Sequence, residues 1–161
     1  MTKTIVLGGG CFWGLQDLLR SQKGILETEV GYAGGVNDNP TYEHHQGHAE
    51  VVEITYDDTV TDLKHILDFF FQIHNPTTLN QQGNDKGTSY RSVIFYANVE
   101  EKAIAEEMIE IVNDSECWDD RVVTTLEPFT RFWLAEDYHQ DYLVKNPGGY
   151  TCHAIYFNSY L

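Results

Sequence analysis

Basic residues are scarce in this chain: ten Lys and Arg stand against twenty-five Asp and Glu, a formal charge of −15. Such a surface repels phosphate backbones and anionic lipid, which argues against nucleic-acid and membrane-surface partners and mildly favours a monomer. Cysteine is scarce as well. Three is an odd number and too few for a disulfide framework, so cysteine here reads as chemistry rather than stapling. Long apolar runs are missing: the greasiest window, Ile66 to Ile73, is interrupted by Asp68 and Gln72 and falls short of a membrane span. The first ten residues carry neither a basic n-region nor a signal-length apolar stretch, so the expected setting is a reduced cytoplasm. Repeats and low-complexity tracts are absent too. What is present is an ordinary globular mix, 42% hydrophobic and 22% charged over 161 residues, which predicts one domain spanning 1–161.

The chain order follows from periodicity. Thr4 to Leu7 reads as a strand stopped by three glycines, and Leu15, Leu18 and Leu19 mark a helix beginning at or just after Cys11. Glu29 to Tyr32 and the alternating stretch Val51 to Tyr56 predict two more strands. Leu63, Ile66, Leu67, Phe70 and Ile73 keep helical spacing behind a Thr61 cap. Asn75 to Ser89 lacks periodicity, and a loop of that length inside a compact domain is often functional. Tyr90 to Tyr96 reads as a central strand. Asn98 with Glu101 forms a capping-box pattern ahead of a helix lined by Ile104, Met108, Ile111 and Val112. Val122 to Leu126 is a further strand, and from Asn146 the chain becomes an irregular tail. The order β-α-β-β-α-β-α-β predicts an α+β two-layer sandwich, with a doubly wound α/β sheet as the second choice.

The sharpest local feature is Gly8-Gly-Gly-Cys11-Phe12-Trp13-Gly14. Glycines let the backbone turn tightly, and the unpaired N–H groups and dipole at a helix N-terminus favour a thiolate. Phe12 and Trp13 would then form an apolar wall for a methyl-bearing group. The competing reading is an inert buried cysteine among core aromatics.

Three histidines and two carboxylates crowd Tyr42 to Glu50, which admits a metal site, although no Cys-x-x-Cys pair exists and adjacent His44 and His45 diverge on an extended chain. Glu50 opens a strand as either a solvated edge carboxylate or a partly buried general acid. Asp85 reads as a turn cap or a functional group, and Tyr90 as a core aromatic or a site phenol. Cys152, in a Gly-rich mobile segment, is suited to reach a distant sulfur; Cys117, at the end of an acidic helix, reads as structural.

Seven segments occur in one order: Gly10-Cys-Phe-Trp-Gly14, Gly31-Tyr-Ala-Gly-Gly35, Pro40-Thr-Tyr42, Gly47-His-Ala-Glu50, Gln82-Gly-Asn-Asp85, Gly87-Thr-Ser-Tyr-Arg-Ser92 and Ala135-Glu-Asp-Tyr-His-Gln140. Together they resemble the peptide methionine sulfoxide reductase A family, over residues 4 to about 153. The resemblance implies a two-layer α+β sandwich around a mixed, mostly antiparallel sheet. It implies reduction of the S epimer of methionine sulfoxide, in proteins, peptides or free, with no cofactor or metal and with a thioredoxin-type reductant. Carried residue by residue, it makes Cys11 the nucleophile, Glu50 the acid, and Tyr42 and Tyr90 donors to the sulfoxide oxygen. Phe12 and Trp13 become the methyl wall, Asp85 a support for the thiol chemistry, and Cys152 the resolving thiol.

The chain departs from the family pattern at four places. Gln16 stands where many members carry Glu, Asn75 follows His74 where Asp is common, the stretch between Tyr42 and His48 is short, and no second cysteine follows Cys152. Two other functions stay open at this level: a thiol peroxidase using the same cysteine, and a His-rich metal-binding module.

Overall fold

The computed structural model describes residues 1–161. Strand β1 (Thr2–Gly9) runs directly into helix α1 (Phe12–Leu19), followed by β2 (Ile25–Ala33) and β3 (Ala49–Asp57). Next come α2 (Leu63–Phe70) and a two-residue hairpin, β4 (Gln81–Gln82) with β5 (Asp85–Lys86), inside the long polar loop. The chain continues through β6 (Ser92–Tyr96), α3 (Val99–Ser115), β7 (Thr125–Pro128), β8 (Trp133–Leu134) and the single turn α4 (Tyr142–Lys145).

Six strands form one sheet in the order β7-β6-β1-β3-β2-β8. Every pairing is antiparallel except β6 with β7, so the sheet is mixed and mostly antiparallel, as expected. Strand alternation divides the apolar residues between two faces. Ile5, Leu7, Val30, Val52, Ile54 and Ile94 join the buried faces of α1, α2 and α3 in one large core. Val6, Ala33, Ala49, Val51, Val93 and Phe95 make a smaller cluster covered by Phe132. The helices therefore pack onto one face of the sheet, which gives the two layers.

Several boundaries differ from the sequence expectations for local reasons. The cap of α2 is Asp62, not Thr61; its carboxylate accepts the His65 N–H at 2.9 Å. The α3 cap is as read: Asn98 accepts the Glu101 N–H, while the Glu101 carboxylate accepts from Ala97. Tyr90 does not begin a strand but closes a 3₁₀ turn over Thr88–Tyr90, and β6 starts at Ser92. That strand is an interior one, as expected, paired with β1 on one side and β7 on the other. β8 was too short to leave a pattern. Cys117 is exposed beyond the end of α3 and is no part of the core.

The tail has no regular structure, yet it is tied down. His153 Nε2–H donates to the Gly9 carbonyl at 2.6 Å, and the Tyr156 N–H donates to the Gln72 carbonyl at 2.8 Å. Asp68, itself buried, accepts from both the Ser159 hydroxyl and the Tyr160 N–H. A tail strapped across β1 and α2 brings residues 149–153 back to the start of α1.

Candidate active site

The site is built where β1 turns into α1. Gly10 carries a φ of +95°, and a Cβ there would lie 2.6 Å from Gln82 Cγ, so both conformation and space call for glycine. This bend makes Cys11 the N-cap of α1, the position the sequence suggested. One of the free N–H groups of the first turn, that of Phe12, donates to Glu50 Oε1 at 3.1 Å.

The thiol of Cys11 does not behave as the helix dipole alone would predict. Burial pushes it up, the Glu50 carboxylate adds to the rise, and the Trp13 N–H opposes only in part. Desolvation of an anion outweighs the partial charges of a short helix. The resting nucleophile is therefore a neutral thiol, which corrects the thiolate expected from position alone.

Glu50 is the second residue of β3, opposite Tyr32 of β2, and only 1% exposed. It is fully buried, where the sequence left edge and partial burial open. Burial pushes its carboxyl up to about 8, with the Phe12 N–H opposing and the charge of Asp85 adding. A carboxyl so placed holds its proton at neutral pH and can donate it.

The remaining expected residues surround this pair. Burial, then the charge of Glu50, pushes the Tyr42 phenol up to about 12 and raises Tyr90 as well, so both hydroxyls remain donors. Phe12 is completely buried against Tyr32 and His139, with ring centres 5.7 and 5.1 Å away. Trp13 stacks on Tyr142 at 3.8 Å and donates its Nε1–H to His139 Nδ1 at 2.9 Å. Asp85 accepts from the Tyr150 hydroxyl at 3.1 Å and lies 3.6 Å from Cys152 Sγ. Cys152 is thus not a thiol on a free arm, as its sequence setting suggested; it is half-buried and docked beside Asp85 and His153.

Sequence reasoning assigned no role to several residues that shape this site. Glu136 accepts from the buried Tyr32 hydroxyl at 2.8 Å and from the Tyr42 N–H at 2.9 Å, so it fixes where the Tyr42 backbone stands. His139 and Tyr142 orient the Trp13 indole. All but Tyr142 lie in the two motifs around Tyr32 and Glu136, but nothing in a one-dimensional pattern joins residues about a hundred positions apart.

Two of the departures now have a structural account. Gln16 is buried away from the thiol, donating to the Thr28 carbonyl at 3.1 Å and accepting the Asp141 N–H at 3.0 Å, which braces α1 against β2 and α4. Asn75 caps a turn by accepting the Thr77 N–H at 2.9 Å. The histidine loop is also committed elsewhere: His48 accepts the Gly35 N–H and donates to the Asn37 carbonyl, and His45 bonds the Thr41 carbonyl and Ser89. No group of three or more His, Cys, Asp or Glu is placed to hold a metal ion.

Comparison with known proteins agrees with this geometry. A family model described as peptide methionine sulfoxide reductase matches residues 3–159. A peptide methionine sulfoxide reductase MsrA of Nocardia farcinica is 57% identical over 152 residues, covering 94% of this chain and 89% of that protein. The crystal structure of Mxr1 from Saccharomyces cerevisiae in reduced form superposes with a TM-score of 0.87 at 38% identity, over 94% of this chain and 89% of that one. Mxr1 in complex with Trx2 is similar at a TM-score of 0.65 and 27% identity, over 96% and 89% of the two chains.

Proposed function

This chain belongs to the peptide methionine sulfoxide reductase family, and from that premise we propose how its own residues carry out the thiol-dependent reduction. The observation that carries the mechanism is the buried pair of a neutral thiol, Cys11, and a protonated carboxyl, Glu50, joined through the Phe12 N–H. Sulfoxide oxygen is a poor leaving group until it is protonated, and this buried pair supplies two protons.

In the first step the Cys11 sulfur attacks the sulfoxide sulfur while the oxygen takes the thiol proton and the Glu50 proton and departs as water. That leaves a sulfur–sulfur-bonded sulfonium beside the Glu50 carboxylate. Water then attacks Cys11 Sγ and returns a proton to Glu50; methionine leaves with the bonding electron pair, and Cys11 is left as a sulfenic acid. The phenols of Tyr42 and Tyr90 donate to the sulfoxide oxygen, and Phe12 and Trp13 hold the terminal methyl. The configuration reduced at sulfur is the S epimer, as membership of the family implies.

Cys152 condenses with the sulfenic acid to give a disulfide and water. A thioredoxin-type dithiol then reduces the disulfide by exchange, a reading supported by the yeast relative's complex with Trx2. No metal or prosthetic group enters this cycle. The acidic surface argues against nucleic-acid and membrane partners and mildly favours a monomer, and the cysteine usage favours the cytoplasm.

The test is reduction of the separate S and R epimers of a blocked methionine sulfoxide with dithiothreitol as reductant. Methionine from S alone, lost entirely in Cys11→Ser, is the expected result. Turnover by Cys11→Ser would overturn the mechanism. Consumption of hydrogen peroxide without any sulfoxide reduction would favour the peroxidase reading.

A further inference from the structure

His153 follows Cys152 directly in the chain, yet its side chain turns the other way, under the β1–α1 bend. Its Nε2 lies 2.6 Å from the Gly9 carbonyl, which has no proton to give, so Nε2 carries the hydrogen. Nδ1 is then a lone-pair nitrogen, and it lies 3.8 Å from Cys152 Sγ. The ring sits in the space that side chains at Gly10 and Gly14 would fill: a Cβ on Gly10 would be 3.2 Å from Nε2, and one on Gly14 would collide with Nδ1. Gly10 and Gly14 flank Cys11 on the two sides. The imidazole therefore lies beside the resolving thiol, which itself reaches the Cys11 backbone N–H, and under the nucleophile's own turn.

The resolving step needs such a group. A cysteine thiol is a poor nucleophile until it loses its proton, and the hydroxyl on the Cys11 sulfenic acid is a poor leaving group until it gains one. Cys152 is held in the protonated form: burial raises it, the charge of Asp85 raises it further, and hydrogen bonds from the Cys11 N–H and the Tyr150 hydroxyl oppose only in part. Asp85 opposes a bare thiolate, but the same charge favours a cation on His153. A proton moved from Cys152 Sγ to His153 Nδ1 gives up the contact of the thiol with Asp85, but it sets a cation beside both the new thiolate and the Asp85 charge.

We propose that His153 is the general base and acid of the resolving step, taking the Cys152 proton at Nδ1 and delivering it to the hydroxyl leaving Cys11. The Cys152–Cys11 sulfur–sulfur bond forms, the sulfur–oxygen bond of the sulfenic acid breaks, and water departs with the transferred proton. His153 ends as it began. This inference rests on the reductase reading given above. The titratable groups facing the ring are Cys152 on its own segment, Asp85 of β5 and His74 beyond α2. His74 is no rival base: its Nδ1–H donates to the Phe70 carbonyl, its Nε2 accepts from Ser92, and burial holds it down at about 3. His153 is neutral in the resting protein, since burial lowers it below the ordinary histidine range.

A rapid-quench experiment on one turnover follows two products, methionine and the Cys11–Cys152 disulfide. In the natural chain, disulfide formation should rise to a plateau below about pH 7, because His153 needs only to be neutral. In His153→Gln the amide can still reach the Gly9 carbonyl, but the base is gone. Disulfide formation should then slow at least about tenfold relative to methionine release, and its rate should climb with pH toward the thiol range. A variant with the natural rate and pH profile would overturn the proposal. So would a natural chain whose disulfide formation climbs about tenfold per pH unit from about pH 6 to about pH 9, a measurement that needs no variant. Absence of a methionine burst in the natural chain would instead overturn the reductase reading, and the His153 proposal with it.

Discussion

The Phe12 N–H meets Glu50 Oε1 at 3.1 Å, and this bond ties the helix that carries the nucleophile to the strand that carries the acid. Helix α1 would otherwise hold Cys11 at a distance from Glu50 set only by packing. The bond engages one carboxyl oxygen and leaves Oε2 without a protein partner, free to hold the proton that the sulfoxide oxygen needs.

Sulfoxide reduction should depend on pH through Glu50. With the carboxyl pushed up to about 8, the rate of methionine release should hold steady below that value and fall above it as the proton is lost. Glu50→Gln cannot donate, so its single-turnover rate should drop by roughly 10²–10⁴ and lose that limb. A stopped-quench series of methionine release against pH, run on both proteins, measures both effects. An unchanged limb in the variant would assign it to another group.

The same residue should leave a signature in stability. An unfolded glutamate titrates near ~4.3, while the folded one holds its proton to about 8. Below the unfolded value both states are protonated and Glu50 makes no difference. Between the two values the unfolded state gains by ionising and the folded state does not, so native stability falls as pH rises, at most about 1.4 kcal/mol per unit. Glu50→Gln removes that slope. Its advantage over the natural chain in unfolding free energy, read from denaturant melts, should be absent near pH 4 and grow to a few kcal/mol, on the order expected for a desolvated carboxyl, by about pH 8.

Much of this arrangement could be read from the sequence, for physical reasons. Cys11 announced itself because the glycines before it and the helical spacing after it are both local signals. Fold class followed from strand alternation and helix periodicity, with Asn98 and Glu101 marking the start of α3 to the residue. What stayed hidden depends on chain segments meeting. Glu50 looked the same whether solvated or buried, since only the covering of β3 decides it. Trp13 and His139 lie 126 residues apart, so their hydrogen bond has no sequence trace. The thiol's behaviour was misjudged because a helix start is visible in sequence and the desolvation that outweighs it is not.

Cys152 should be needed for recycling and not for the first chemical event. In Cys152→Ser, one equivalent of methionine should form per protein and Cys11 should remain a sulfenic acid that dimedone traps, while thioredoxin-supported turnover stops. Mass spectrometry of the trapped protein and a methionine count per molecule are the readouts. A burst of zero would move Cys152 from resolving thiol to a structural part of the tail.

Gly14 offers a test of the strap that holds Cys152 in place. Inside a helix, Gly→Ala ordinarily stabilises by about 1 kcal/mol, because alanine loses less backbone entropy on folding. At position 14 the added Cβ would collide with Thr151 Oγ1 and His153 Nδ1, both on the tail segment that carries Cys152. Neither atom can retreat cheaply: the His153 ring is fixed by the Gly9 carbonyl, and Thr151 Oγ1 accepts the His153 N–H at 3.1 Å. Crowding of this kind costs about 1–3 kcal/mol in well-packed sites, which exceeds the helical gain. Gly14→Ala should therefore be less stable than the natural chain by about 1 kcal/mol or more, and disulfide formation after the methionine burst should slow. Urea denaturation and rapid quench measure the two effects. A variant that is more stable and forms its disulfide at the natural rate would show that the tail is not pinned against α1 in solution.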